Sequence, residues 1–311
     1  MPQSPKYGVI DLGTNTFHLL IVAPRADGSF EELFRHRIFI KLAEAGIHTI
    51  GEAPFQRGLD ALVFFKERLE HFEVQAVKAF GTAGLRTASN SQDFIQQARA
   101  LTGLDIEIIS GEEEARLIHL GATRAVPPQA GPSLIMDIGG GSVEFILAQK
   151  GQILWAQSFP IGVAILFQRF HHSDPIAPAE IEATEAFIHQ TLEPLRQTLQ
   201  QQPPPTLIGA SGTFDVLENI LAPNKTTPLY AQIPADRFPV FYQQLRNSTL
   251  AERLAMQEVP DTRADMIIVA LILINYILRI ARIKTILVSA YAMKEGMLTE
   301  LIQSDQHPKT K

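Results

Sequence analysis

Asp11-Leu12-Gly13-Thr14-Asn15-Thr16 lies between apolar runs at residues 7–10 and 17–23, and Asp137-Ile138-Gly139-Gly140-Gly141-Ser142 lies in the same way between 134–136 and 143–148. Each stretch reads as strand, polar turn, strand. After the first come a turn at Ala26-Asp27-Gly28-Ser29 and a short strand over 30–34. After the second come a turn at Gln149-Lys150-Gly151-Gln152 and a strand over 153–156. One such turn would mean little, but two in register, each followed by the same meander, point to an internal duplication. Elsewhere short apolar runs alternate with helical periodicity, so the expected class is α/β with mixed sheets.

At 311 residues the chain exceeds one ordinary core. Two lobes are expected, 1–126 and 132–290, divided at Pro127, Pro128, Gly131 and Pro132, and a C-terminal helix near 291–303 could pack back on the first. With 46% apolar and 19% charged residues the chain is a globular one, neither disordered nor collagen-like. A net charge of -6 argues against a generally basic nucleic-acid surface, so any bound anion must be gripped locally. The absence of cysteine removes disulfides, thiolate zinc sites and a cysteine nucleophile, and fits a cytoplasmic protein. Residues 1–6 run straight into the first strand without a secretory leader. The apolar passage 266–278, interrupted by Asn275, is shorter than a bilayer needs and reads as a buried core helix, so no membrane partner is expected.

Other elements follow from periodicity. Leu59, Leu62, Val63 and Leu69 mark a helix over 54–72; a strand over 76–80 ends in a turn over 81–86. Ser110 and Glu113 have capping-box spacing for a helix reaching about Arg124. In the second half, one helix is expected from Pro178 to Pro203, with Ile181, Ile188, Leu192, Leu195 and Leu199 on one face. A strand over 206–208 enters the turn Gly209-Ala210-Ser211-Gly212-Thr213, and 222–234 reads as an irregular loop. Thr249 and Glu252 form a second capping box; the last strand and helix are expected at 283–288 and 291–302.

Three glycine and hydroxyl turns thus end apolar strands. Glycine lets consecutive N–H groups face one concavity, and Ser, Thr and Asn add donors, so such turns can cradle phosphate oxygens. They can equally be tight hairpins and no more. The candidate cradle residues are Thr14, Asn15 and Thr16; Gly139, Gly140, Gly141 and Ser142; and Ser211, Gly212 and Thr213. Asp11 and Asp137 lead the first two turns. A carboxylate beside a phosphate cradle repels phosphate unless a cation stands between, which implies Mg²⁺, although a turn aspartate can also simply bond its own backbone. Arg86 could fork onto phosphate oxygens or lie on the surface. The run Glu112-Glu113-Glu114 opens a helix, where acidic residues are favoured by the dipole in any case. Glu113 serves the capping box, and Glu114, about 100° further round the helix, is left as a candidate base. His18 reads as a half-buried strand histidine, and no histidine pair has metal-ligand spacing.

These stretches, with 81–90 and Ile109-Ser110-Gly111-Glu112-Glu113-Glu114-Ala115-Arg116-Leu117-Ile118, resemble the exopolyphosphatase and guanosine pentaphosphate phosphatase family, in order and across nearly the whole chain. The resemblance implies a two-lobed, actin-like and sugar-kinase-like (ribonuclease H-like) duplicated fold, with the active site in the interlobe cleft. It places the catalytic glutamate on Glu114 and phosphate contacts on Thr14, Asn15, Thr16, Arg86 and 139–142. Asp11 and Asp137 then lie beside the metal with Glu144 close by, and all three are candidate Mg²⁺ ligands. The implied reaction is release of terminal orthophosphate from inorganic polyphosphate, with guanosine pentaphosphate as the alternative substrate. A kinase-like ATP user and a non-hydrolysing polyphosphate or alarmone sensor are the competing readings, and a homodimer is an open option. Larger relatives carry further C-terminal domains that help hold long polyphosphate, so either a weaker grip on long chains or reliance on a dimer is expected of these 311 residues. Two departures stand out: Thr82-Ala83-Gly84 lacks a hydroxyl usual in the family, and Tyr291-Ala292-Met293-Lys294-Glu295-Gly296 replaces a common glycine and arginine.

Overall fold

Both repeats fold around a mixed sheet in the computed structural model, which describes residues 4–306; part of the stretch 1–6 read above, its first three residues, and the last five residues of the chain lie outside it. The strands are β1 Tyr7–Leu12, β2 Thr16–Pro24, β3 Phe30–Phe39, β4 Ala76–Gly81 and β5 Ile106–Ile108, then β6 Ser133–Ile138, β7 Val143–Gln149, β8 Gln152–Phe159, β9 Thr206–Ala210, β10 Tyr230–Pro234 and β11 Thr285–Ser289. They form two sheets, β3-β2-β1-β4-β5 and β10-β11-β9-β6-β7-β8. If β6 is matched to β1, the second sheet repeats the order of the first and adds β10 at one edge. In each sheet a hairpin meander is joined to strands parallel to its first strand: β1 with β4 and β4 with β5, then β6 with β9 and β9 with β11. This is the duplicated, mixed α/β arrangement that the two aspartate-led turns predict.

The chain divides into two units, one containing residues up to Gly121 and from Met293 onward, the other Ala122–Ala292. In the first, helices Glu52–His71 and Ser91–Thr102 cover the sheet through Leu59, Leu62, Phe65 and Phe94, which meet Ile10 and Phe17. β3 forms one edge of this sheet, and its exposed Glu31, Glu32, His36 and Arg37 discourage pairing with another chain. β3 reaches Phe39, five residues beyond the strand expected from sequence.

In the second unit the apolar helix Ile267–Ala281 is buried nearly all round by helices Pro178–Thr191, Phe238–Arg246, Val163–Phe170 and Glu193–Gln201. Its own unit therefore covers it, and among the described residues no helix is long and apolar enough to cross a membrane. The helix expected over 178–203 is two, Pro178–Thr191 and Glu193–Gln201, because Pro194 has no N–H to continue the ladder. The loop expected at 222–234 contains β10, where Ala231 and Ile233 are buried and Gln232 and Pro234 exposed. The Thr249 capping box is present: the Thr249 hydroxyl accepts from Glu252 N–H (3.2 Å), and Thr249 N–H donates to Glu252 Oε2 (2.7 Å).

Candidate active site

In the first unit the candidate residues gather where the parallel strands β1, β4 and β5 end, the edge at which α/β sheets place their ligands. Thr82 N–H donates to the Leu12 carbonyl (3.2 Å) and Ile109 N–H to the Gly81 carbonyl (3.1 Å), tying the three strand ends together. The turn after β1 closes through Gly13 N–H to the Thr16 carbonyl (3.1 Å); the turn after β6 closes identically, Gly139 N–H to the Ser142 carbonyl (2.9 Å). A methyl group on either glycine would stand 3.0 Å from that carbonyl oxygen. The duplication therefore extends to atomic detail.

Backbone bonding fixes which way these turns face. Leu42 N–H donates to the Thr14 carbonyl (2.8 Å), and Ile40 and Lys41 N–H donate to the Asn15 carbonyl (2.9 and 3.0 Å). In the second unit Val163 N–H donates to the Gly139 carbonyl (3.0 Å) and Ala164 N–H to the Gly140 carbonyl (2.9 Å). A trans peptide directs its N–H opposite its C=O. The N–H groups of Asn15, Thr16, Gly140 and Gly141 therefore point away from these supports, as an anion nest requires. Thr14, Ser142 and Thr213 are buried with the turns.

Arg86 lies in a helix, Ala83–Thr87, and not in the turn expected from sequence. Gly84 packs against Thr14: a methyl there would meet Thr14 Oγ1 at 3.0 Å, so the helix bearing Arg86 packs on the turn after β1. The Arg86 Nη1 donates to the Ile109 carbonyl (2.8 Å) and to Glu114 Oε2 (3.2 Å). Glu114, 7% exposed, stands in the first turn of the helix Gly111–Ala125. Ser110 Oγ caps that helix by accepting from Glu113 N–H (3.1 Å), while the Glu113 carboxylate takes two bonds from Arg116 (2.7 and 2.8 Å) that hold it below the usual carboxylate range.

The second unit carries a buried acidic pair. Asp137 on β6 and Glu144 on β7 are directly opposite, 7% and 1% exposed, and Ser158 Oγ donates to Glu144 Oε1 (2.7 Å). Like charges placed so are unfavourable unless a cation or proton lies between them. The matching partner of Asp11 in the first unit is His18. Among the described residues no three His, Asp or Glu side chains cluster to hold an ion alone. Magnesium commonly uses one or two carboxylates and completes its shell with water and phosphate oxygens, so these oxygen donors suit it.

The third turn ends β9. Ser211 adopts φ 69 and ψ 172, a region that strongly favours glycine, at the start of the helix Gly212–Leu221. The Arg263 guanidinium lies on Gly212, where a methyl would stand 1.4 Å from Nη2. Sequence reasoning missed Arg263, because a lone arginine in the four-residue helix Asp261–Ala264 carries no periodic or motif signal.

Residues 21–305 match the Ppx/GppA phosphatase family. The chain belongs to that family. An exopolyphosphatase from Cytophaga hutchinsonii is 38% identical, with a TM-score of 0.91 over 96% of this chain and 98% of that one. A guanosine-5'-triphosphate,3'-diphosphate pyrophosphatase from Vibrio vulnificus is 30% identical over 99% of this chain, which spans only 62% of that relative's length. The Aquifex aeolicus Ppx/GppA family member, 22% identical with a TM-score of 0.82, shares the fold. Ppx/GppA phosphatases generally depend on a divalent metal.

Proposed function

We propose that this Ppx/GppA protein is a phosphoanhydride hydrolase releasing terminal orthophosphate from inorganic polyphosphate. The observation that carries the reading is the Arg86–Glu114 pair, a buried carboxylate held by a guanidinium at the ends of β1, β4 and β5. Glu114 is the proposed base: it orients a water and takes its proton as the oxygen attacks phosphorus in line. Arg86 pairs with Glu114 through Nη1 (3.2 Å), and its remaining N–H groups can fork onto the phosphoryl oxygens where charge develops. The nests formed by Thr14, Asn15 and Thr16, by Gly139, Gly140, Gly141 and Ser142, and by Ser211, Gly212 and Thr213 supply further fixed donors. Asp11, Asp137 and Glu144 are the carboxylates proposed for Mg²⁺, which when bound offsets phosphate charge.

Polyphosphate is preferred because the whole-length likeness at 38% identity is to a protein named exopolyphosphatase. Guanosine pentaphosphate is the second reading, supported by the 30% identical relative named for that chemistry. Glu114→Gln keeps shape and removes the base, so kcat should fall about 10²- to 10⁴-fold while affinity for polyphosphate, measured by calorimetry, changes little. Turnover near that of the wild type would remove Glu114 from the mechanism.

A further inference from the structure

The C-terminal helix Met293–Gln306 belongs to the first unit, and three of its acidic side chains each grip a different element of that unit. Glu295, 1% exposed, binds Arg35 of β3 (3.1 Å). Glu300 binds Arg116 of the helix Gly111–Ala125 (2.6 Å). Asp305 accepts from the Tyr7 hydroxyl at the start of β1 (2.6 Å), and burial together with that bond pushes the Tyr7 pKa up to about 12. The helix is thus fastened along its length to both ends of the meander and to the element that bears Glu114.

Its closest approach is at Gly296. A methyl group there would stand 2.0 Å from the Leu117 carbonyl oxygen and 2.9 Å from its carbon. Backbone touches backbone, and Leu117 is three residues, nearly one turn, beyond Glu114. Arg116, two residues beyond Glu114, is shared between Glu113 of its own helix and Glu300 of the crossing helix, and both hydrogen bonds raise its pKa. The Gly296 contact limits how closely the two helices can approach, and the Glu300 contact ties the Arg116 face of the Glu114 helix to the crossing helix. A rotation or shift of that helix would move the Glu114 carboxylate relative to Arg86, which is also held by the Ile109 carbonyl, just before the Ser110 cap.

We infer that Gly296, Glu300 and Arg116 are positioning residues for Glu114, and that the C-terminal helix sets the geometry of the proposed base. The inference rests on the proposed role of Glu114. A misplacement of about 1 Å in a reacting group can cost on the order of 10²-fold in rate, so kcat should be sensitive to these contacts while substrate affinity is not.

The test is steady-state phosphate release from inorganic polyphosphate with Mg²⁺ by wild type, Glu114→Gln, Glu300→Ala, Glu300→Asp, Arg116→Ala, Gly296→Ala and the Arg116→Ala/Glu300→Ala double variant. Glu300→Ala and Arg116→Ala should each lower kcat about 10- to 100-fold with KM within about twofold. The double variant should lose no more than Arg116→Ala alone, because that change already breaks the contact with Glu300. Glu300→Asp should recover part of the loss. Gly296→Ala should show the same loss of kcat; if it does not fold, the Glu300 and Arg116 variants decide alone, since that pair is partly exposed. If Glu114→Gln is inactive but Glu300→Ala and Arg116→Ala turn over like wild type, or lose only KM, the inference is wrong and the role of Glu114 stands. If Glu114→Gln is active, or wild type releases no phosphate from polyphosphate or guanosine pentaphosphate, the proposed function itself falls, and this inference with it.

Discussion

Gly162→Ala is a small change at a place where the structure leaves no room. Gly162 has φ -60 and ψ 163, which alanine adopts without strain, and it precedes the helix Val163–Phe170. Losing glycine at this helix start costs only a few tenths to about 1 kcal/mol. The methyl group, however, would stand 2.3 Å from both the carbonyl carbon and oxygen of Gly140 and 2.5 Å from the Gly141 nitrogen, where ordinary contact begins at 3.4 Å. All three are backbone atoms of the proposed phosphate nest, so no side chain can swing aside and the nest must retreat by about 1 Å. Overpacking of this kind costs about 1–3 kcal/mol in stability, and a 1 Å retreat of groups that hold substrate costs about 10²-fold in kcat/KM. Urea unfolding and phosphate-release kinetics on the same preparation measure both. Stability within about 0.5 kcal/mol of wild type, together with unchanged kcat/KM, would show that the turn over 139–142 neither touches position 162 as described nor holds substrate.

Three further expectations concern other parts of the two units. Arg86→Lys keeps the charge but loses the fork that spans Ile109, Glu114 and phosphate, so kcat/KM should fall by at least about tenfold; full activity would make Arg86 a mere counter-ion. Ser211→Gly relieves a backbone conformation that costs about 1–3 kcal/mol in non-glycine residues, so it should leave the fold as stable or more so while raising KM; an unchanged KM removes the Ser211 hydroxyl from substrate binding. His171 is held below its ordinary 6.5 by burial, then by the charge of the fully buried Arg253, and its Nδ1 has no hydrogen-bond partner. As pH falls through 6.5 the unfolded chain takes up a proton that the folded chain resists, so stability falls. His171→Gln should flatten that decline in urea midpoints below pH 6.5, and an unaltered slope would assign it elsewhere.

The duplicated turns were legible because hairpin chemistry is local: an aspartate, then glycine with small hydroxyl residues, between apolar runs, needs no knowledge of tertiary packing. Glu114 was visible as a candidate once Ser110 was recognised as a cap, because the cap fixes the phase of its helix. The carboxylate of Glu113, expected to complete the capping box, is instead engaged by Arg116, a choice between partners that spacing does not determine. The short helix carrying Arg86 escaped notice, since five residues give no periodicity to read. Pro194 splits a continuous apolar face that alone suggests one helix. The opposition of Asp137 and Glu144 depends on strand register. The contacts at Gly162, Arg263 and Gly296 join segments far apart in sequence, and no local pattern announces them.

The most direct measurement is phosphate release from long polyphosphate, guanosine pentaphosphate and ATP in parallel, with Mg²⁺ and with the metal chelated, by wild type and Glu114→Gln. Metal-dependent release from polyphosphate or the guanosine compound that is lost in Glu114→Gln is the predicted result, and the faster substrate identifies the physiological class. Release that persists in Glu114→Gln, or an inert wild type that binds polyphosphate without cleaving it, would contradict the account.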